Sequence, residues 1–427
     1  MLDIKLIRED PELIRKDLRK RGDDKNLKLL SKIIEKDLAQ RELIKLSEDL
    51  RKKRNELSKE AGRLRAEDKD FSGVGKEVKK INKEVAGYEN KLNELKKEMK
   101  NGLMCLPNLM HESVPVGKDD EENVVVTTFG KTEKPKFEIK HHGQLAADLG
   151  IADFQRAVKI SGEGFFFLKG DLALLDIALQ RFALDLLIKK GFTLIQPPFL
   201  MRRKPYEGVT DLRDFEEVMY KIEGEDLYLI ATSEHPMGAM YMDEIVKEEE
   251  LPIKIAGVSA CFRKETGKHG LDERGLFRVH QFNKIEQFIF CKPEDSWTFH
   301  EELRQNAEDF LKALEIPYNV TNICTGDLGT VAAKKYDING WSPREQKYIE
   351  LMSCSNCTAY QAARLNVKYR KKDNEKEHVH TLNSTMVATT RTLRILLENY
   401  QTEEGTLRVP KSLQSYMNGK KEIVKAK

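Results

Sequence analysis

The chain has 427 residues, 40% of them hydrophobic and 34% charged, with 74 Lys and Arg against 71 Asp and Glu for a net charge of +3. This balance excludes a collagen, a mucin-like chain and a disulfide scaffold. The longest apolar stretch, Ile177–Ile188, is interrupted by Gln180, Arg181 and Asp185, so no membrane-spanning segment and no membrane partner are expected.

The opening residues, MLDIKLIREDPELIRK, are charged throughout and do not read as a secretory signal. Six cysteines, at 105, 261, 291, 324, 354 and 357, are too scattered for a disulfide framework, and reduced thiols in the cytoplasm are expected. From Leu27 to Met99 there is no proline and a heavy load of Lys, Glu, Arg and Leu. Val74, Val78, Ile81, Val85, Tyr88, Leu92, Leu95 and Met99 alternate in steps of four and three, which makes one apolar stripe of a coiled coil. Leu43, Leu46, Leu50, Leu57 and Leu64, with Ala61, form a second stripe. Asp68–Gly75, rich in Gly, Ser and Asp, reads as a reversal between two long antiparallel helices. Residues 51–100 carry 16 Lys and Arg against 10 Asp and Glu, and Arg51, Lys52, Lys53 and Arg54 lie together. Taken by itself, such a hairpin is more often a solvated coiled coil that binds another protein than a nucleic-acid arm.

Residues 101–140 carry Pro107, Pro115, Gly117, Gly130 and Pro135 and read as a linker. Beyond Gly162, strands are expected at Phe165–Leu168, Phe192–Gln196, Leu227–Ile230, Ile253–Phe262, Gln281–Phe290 and Tyr348–Met352. Helices are expected at Leu172–Lys190, capped by Asp171 and ended by Gly191, and at Glu234–Glu250, Asp295–Ala313 and Thr389–Asn399. Strands with irregular connections and helices set apart predict an α+β fold with a largely antiparallel sheet.

Three constellations carry chemistry. In the first, Ala260–Glu265 and Leu276–Glu286 read as a strand, a charged loop (Thr266–Gly275) and a returning strand, placing Arg263, Arg278, Phe282 and Glu286 on neighbouring strands. Arginine clamps phosphate with a planar fork of donors, and phenylalanine offers a base a stacking face. In the second, Glu350 and Ser353 offer hard oxygen ligands suited to magnesium on phosphates. In the third, His380–Thr392 runs from small polar residues into a helix with Arg391 on its first turn, where backbone N–H groups favour anions. Any one of these charges alone is more often a surface ion pair. Cys354 and Cys357 make half a zinc site only if His378 and His380 meet them in space, so two reduced thiols are the default.

Taken together, the three blocks resemble motifs 2 and 3 and the intervening ATP strand of class II aminoacyl-tRNA synthetases, and more narrowly the seryl-tRNA synthetase family. Thr232-Ser233-Glu234 matches that family's serine-binding triplet, and Gly191–Leu200 resembles motif 1, with Pro198 at the homodimer contact. The resemblance implies an N-terminal tRNA-binding helical arm (1–110), a linker (111–145) and a catalytic domain (146–427). It implies ATP-dependent attachment of L-serine to tRNA(Ser) through a seryl-adenylate, and serylation of tRNA(Sec) where that tRNA exists. Thr232, Ser233, Glu234, Arg263, Glu286, Asn383 and Thr385 would bind serine. Arg263, Lys264, Glu265, Val279, Phe282, Glu350, Leu351, Met352, Ser353 and Arg391 would bind ATP, with Mg²⁺ at Glu350 and Ser353. Arg263 and Arg391 would be catalytic, and Arg51, Lys52, Lys53 and Arg54 would meet the tRNA. One departure concerns motif 3, where Ser384, Met386 and Thr390 stand in place of expected glycines. The competing readings are a non-catalytic tRNA-binding or scaffold paralogue and a paralogue that loads a carrier protein. The first predicts lost ATP arginines and the second a lost arm.

Overall fold

The computed structural model describes residues 1–133, 135–212, 216–265 and 275–425, which divide into two units, Met1–Pro107 and Asn108–Lys427. In the first, helix α1 (Asp24–Ala66) and helix α2 (Ser72–Cys105) pack antiparallel. All eight residues of the predicted α2 stripe are buried or half-buried. The reversal is tighter than its composition suggests, because Gly73 and Gly75 lie inside α2. The α1 stripe needs correction. Leu46 is exposed, and the buried or half-buried positions run 43, 47, 50, 54, 57, 61 and 64, again in steps of four and three. Ser47 and Arg54 therefore occupy seam positions that apolar side chains would otherwise fill. Arg51–Glu89 (2.6 Å), Lys53–Glu77 (2.7 Å) and Lys36–Glu98 (2.6 Å) bridge the two helices along the seam's edges. At the base, buried Asp37 receives Arg8 at 2.6 Å and ties the helix Ile4–Glu9 to α1.

The second unit is built on an eight-stranded sheet. Its strands are β1 (Val124–Phe129), β2 (Thr193–Ile195), β3 (Ile253–Phe262), β4 (Gln281–Cys291), β5 (Tyr318–Asn322), β6 (Lys334–Ser342), β7 (Lys347–Thr358) and β8 (His380–Ala388). They lie in the order β1-β5-β6-β7-β8-β4-β3-β2, antiparallel except for the β2–β3 pair. Helices α3 (Gly170–Lys189), α4 (Ser296–Ala313) and α5 (Thr389–Asn399) cover one face and bury Leu175, Leu179, Phe310, Leu393 and Leu397 against it. A second core, with Tyr206, Tyr228, Phe288, Phe290 and Tyr369, fills part of the other face. No helix of the described residues is long and apolar enough to cross a membrane.

Several expected elements differ. Residues 124–129 are an edge strand rather than linker, because the run from Val124 to Thr128 is β-branched throughout and all of it but the bulged Val126 pairs with β5. Strands β5 and β6 escaped notice because polar residues such as Asn319, Thr321, Asp337 and Asn339 interrupt any apolar run. The helix expected over Glu234–Glu250 ends at Ala239. Asp243 takes a left-handed φ of 63°, and Ile245–Lys247 then pairs in parallel with Lys368–Arg370. Asp171 lies in the first turn of α3 and does not cap it; Lys169 is the N-cap. Only Phe167–Leu168 of the strand expected at 165–168 is extended in a sheet, and β7 runs six residues past Met352.

Among the described residues the buried Ser47 hydroxyl has no hydrogen-bond partner, and it adjoins a cavity whose lining includes Ile44, Leu92 and Asn93 with Arg51 and Glu89 at its rim. Replacing it with leucine fills the gap and removes the orphaned donor, for a gain of about 1–2 kcal/mol. Ser47→Leu should slow amide hydrogen exchange across residues 43–50 and 88–95 of the full chain by about tenfold or more.

Candidate active site

Successive side chains of a strand point to opposite faces, and β4 uses both. Ile285, Ile289 and Cys291 join the core under the helices. Phe288 and Phe290 join the second core on the other face, which places Phe282, Lys284 and Glu286 on that same face, at its open end. One run of alternate residues thus reads aromatic, cation, acid, aromatic, aromatic.

A cavity opens over this row. It is lined by Arg263, Glu265, Val279, Phe282 and Lys284 near β3 and β4, and by Glu350, Leu351, Ser353, Thr385, Thr390 and Arg391 from β7, β8 and α5. The two arginines that are 128 positions apart in the chain (391 − 263) therefore meet around one space. Arg263 follows β3 directly. Its N–H donates to the His280 carbonyl at 3.0 Å, its Nε donates to the Ala231 carbonyl at 3.4 Å, and its guanidinium lies 5.3 Å from the Phe282 ring centre. Arg391 donates to the Glu350 carbonyl at 3.0 Å and reaches the Glu350 carboxylate at 3.2 Å. Its other face stacks on Phe277, 5.3 Å from the ring centre, and Arg394 holds the same ring at 4.4 Å. The N-cap of α5 is Ala388, whose methyl side chain cannot cap the helix, and backbone N–H groups at a helix start favour an anion.

Beside the arginines lies a buried polar pocket. The Lys284 ammonium is 2.6 Å from Glu286 Oε2 and donates to Thr232 Oγ1 at 3.2 Å. Glu234 receives Gln361 Nε2 at 3.2 Å. Burial, reinforced by the nearby Glu286 charge, pushes the Glu234 carboxyl up to about 7. Burial also raises Glu286, opposed by Lys284 and Arg263. Burial alone would raise Glu350, but Arg391 and Lys335 hold it below the usual carboxylate range. Gly257 sits under the 232–237 segment. A Cβ there would lie 2.7 Å from Met237 Sδ and 2.8 Å from Ser233 Oγ, so the close approach requires glycine.

Two single-residue bulges set which way the side chains of β7 and β8 point. On a regular strand, Glu350 and Ser353 would face opposite ways. Leu351 is an extra residue opposite β6, where Ile338 pairs with Met352 and Asn339 with Glu350, and this puts both oxygens on the cavity wall. Met386 is likewise the extra residue between Thr385 and Val387 in β8. It is wholly buried in the core under the helices, so its bulk stays out of the cavity. Ser384, Met386 and Thr390 all keep negative φ, the condition under which they can replace glycine.

Not every expected residue lines the cavity. Ser233 is buried and donates to the Gly257 carbonyl at 3.4 Å. Asn383 donates to Cys357 Sγ at 3.8 Å. Met352 packs in the core. The Lys264 N–H donates to the Val218 carbonyl at 2.7 Å and its ammonium lies over Tyr220. Arg278 lines a separate cavity with His141 and Phe165. Of the expected charged loop, 266–274 lies outside the described residues. Phe277, Lys284 and Ala388 line the cavity without an expected role, and so does Thr390, expected only as a stand-in for glycine. Lys284 had a signal, since it alternates with Phe282 and Glu286. In the first unit, Lys52 is exposed, Arg51 and Lys53 are engaged across the hairpin, and Arg54 is half-buried. Cys354 and Cys357 are free thiols, and no group of three or more His, Cys, Asp or Glu gathers around one point among the described residues.

Residues 1–110 match the seryl-tRNA synthetase N-terminal domain, and residues 217–400 match the tRNA synthetase class II core domain (G, H, P, S and T). A serine–tRNA ligase of Methanocella arvoryzae is 56% identical over 98% of this chain and 99% of its own. The chain belongs to the seryl-tRNA synthetase family. Among solved structures, seryl-tRNA synthetase from Pyrococcus horikoshii, complexed with ATP, superposes with a TM-score of 0.96 at 47% identity over all of both chains. The cytoplasmic serine–tRNA ligase of Naegleria fowleri, in complex with AMP, gives 0.90 at 40% identity over 100% of this chain and 99% of its own.

The Glu234 carboxyl should titrate near neutral pH in the seryl-tRNA synthetase fold described here. Glu286→Gln removes a like charge and frees Lys284 to act on Glu234, so the midpoint should fall below about 7. Difference infrared spectroscopy of the carboxyl stretch against pH measures it. A midpoint that stays put or rises would contradict the electrostatics described.

Proposed function

We propose that this chain is a serine–tRNA ligase, forming AMP and diphosphate, that activates L-serine with ATP and loads it onto tRNA(Ser), and onto tRNA(Sec) where that tRNA exists. The observation that carries the reading is the convergence of Arg263 and Arg391 on one cavity beside a pocket holding Glu234, Glu286 and Thr232. Serine would place its amino group toward Glu286 and Thr232 and its carboxylate toward Arg263, with Thr385 beside it. Adenine would stack on Phe282, opposite the guanidinium of Arg263. Glu265, Val279 and Leu351 would line the nucleotide. Arg391 would exchange its bond to Glu350 for one to the γ-phosphate.

Glu350 and Ser353 fit a magnesium ion that draws its remaining ligands from phosphate and water, since each offers one hard oxygen on the same wall. Such an ion would neutralise charge on the triphosphate. The serine carboxylate is already a nucleophile at pH 7, so attack on the α-phosphate needs no general base. Arg263 and Arg391 hold the reactants in line and offset the developing charge. A ribose hydroxyl of the tRNA end, the 3′-OH by likeness to class II enzymes, then attacks the seryl-adenylate.

The arm (1–110), with Lys52 on its open face, is suited to phosphate contacts that position a tRNA without reading its bases. Exposed Ile177, Ile188, Leu194 and Leu200, on α3 and the motif 1 segment, support a homodimer through that motif. A cytoplasmic location suits the free cysteines. Both competing readings lose support. The two ATP arginines are in place, against a decayed scaffold, and the N-terminal domain is present, against a carrier-loading paralogue.

ATP–pyrophosphate exchange with each of the twenty amino acids tests the reading, and serine alone should support it. Arg263→Ala should reduce that exchange by about 10²–10³-fold while the melting curve stays unchanged; near wild-type exchange would overturn the assignment. Deleting residues 47–94 should spare serine-dependent exchange and cripple tRNA charging. Full charging without the arm would remove its proposed role.

A further inference from the structure

Lys284 is a buried lysine in the cavity to which neither the motif reading nor the resemblance assigns a role. Its ammonium bonds the two oxygens, Glu286 Oε2 at 2.6 Å and Thr232 Oγ1 at 3.2 Å, toward which a substrate amino group is directed in the proposed function. It reaches them from the same face of β4 that carries Phe282, and it also lines the space shared by Arg263 and Arg391. We propose, resting on that function, that Lys284 is a positioning residue for serine: it keeps Glu286 ionised and turned toward Thr232, ready to receive the substrate's ammonium.

The surroundings make this a necessary task. Glu286 is 1% exposed, and every element packed on it brings a group that matters to its charge. Glu234, from the segment Glu234–Ala239, presents a like charge. Strand β3 brings Arg263 and the buried thiol of Cys261, β7 brings the buried thiol of Cys354, and β8 brings the hydroxyl of Thr385. Burial raises both thiols, which leaves them uncharged. Two carboxylates thus face two cations, Arg263 and Lys284. In the proposed function Arg263 is claimed by the substrate carboxylate and phosphate, which leaves Lys284 as the cation that can stay with Glu286. Without it, burial and the Glu234 charge both favour the protonated acid, which does not attract an ammonium.

The sign follows directly. In Lys284→Gln, Glu286 binds its proton at higher pH, so the falling acid limb of kcat/KM for serine moves up by about one pH unit or more. At pH 7, KM for serine in pyrophosphate exchange should rise about 10–100-fold, the usual cost of losing a charged hydrogen-bond partner, and should recover as pH increases. KM for ATP should stay within a few-fold. Lys284→Arg, which keeps the charge, should retain the wild-type pH profile. A purely structural role would lower activity with serine at all pH values and leave the profile in place, and that result in Lys284→Gln overturns the proposal. If Lys284→Gln does not fold, the carboxyl stretch that the wild type loses in Glu286→Gln decides: an ionised Glu286 at pH 7 supports the proposal, and a protonated one overturns it. Wild-type exchange in the same assay separates the two readings. Absent serine-dependent exchange defeats the ligase function, whereas normal wild-type exchange with an unshifted glutamine variant defeats only the role of Lys284.

Discussion

The site depends on the two-residue period of β4. A strand in the middle of a sheet must satisfy two faces at once, and β4 gives one to the helices and the other to two different tasks. At its closed end, Phe288 and Phe290 fix the strand in the second core. At its open end, Phe282 and Lys284 project into the cavity and Glu286 lies buried beside it, all from a backbone that cannot shift without disturbing both cores. Neighbouring strands inherit that rigidity. The Arg263 N–H is tied to the His280 carbonyl, and Thr385 pairs directly with Glu286. Preorganisation of this kind is what an enzyme of charge-neutralising type requires, since its groups should not move when charge develops.

The polar pocket obeys a second constraint, charge balance out of water. Two buried carboxylates would repel each other and neutralise themselves by taking protons. Lys284 and Arg263 offset them, and Gln361 supports Glu234 from the far side with its own amide fixed by Thr381 at 2.7 Å. A buried cluster in which Glu286 Oε2 keeps hydrogen-bonding capacity favours a small hydroxyl-bearing substrate, because an analogue without the hydroxyl would leave that capacity unused.

Much of this was legible in the residues. The α2 seam and the boundaries of β3 and α5 follow from period and turn residues, whereas a shared role for Arg263 and Arg391 is implied only by the resemblance to the family. What was not legible has physical causes. Strands β5 and β6 are held by pairing with neighbours rather than by an apolar run, so no local pattern announces them. The helix expected beyond Ala239 yields to a strand partner more than 120 residues away, in Lys368–Arg370. Single-residue bulges leave no mark in composition, yet they decide which way Ser353 and Met386 point. The Ser47 and Arg54 seam positions break an otherwise regular leucine stripe and so were passed over.

The bulge at Leu351 separates two kinds of evolutionary change. Exchanging Leu351 for another apolar residue of similar size leaves the register of β7 intact, so drift at that position is inexpensive. Losing Leu351 leaves Glu350 and Ser353 two apart on a regular pleat and still on one side of the sheet, whereas gaining a codon in the pleated part between them turns the two side chains onto opposite sides. The count of pleated residues between those two oxygens, more than the chemistry of the bulged residue, is therefore what inheritance must preserve.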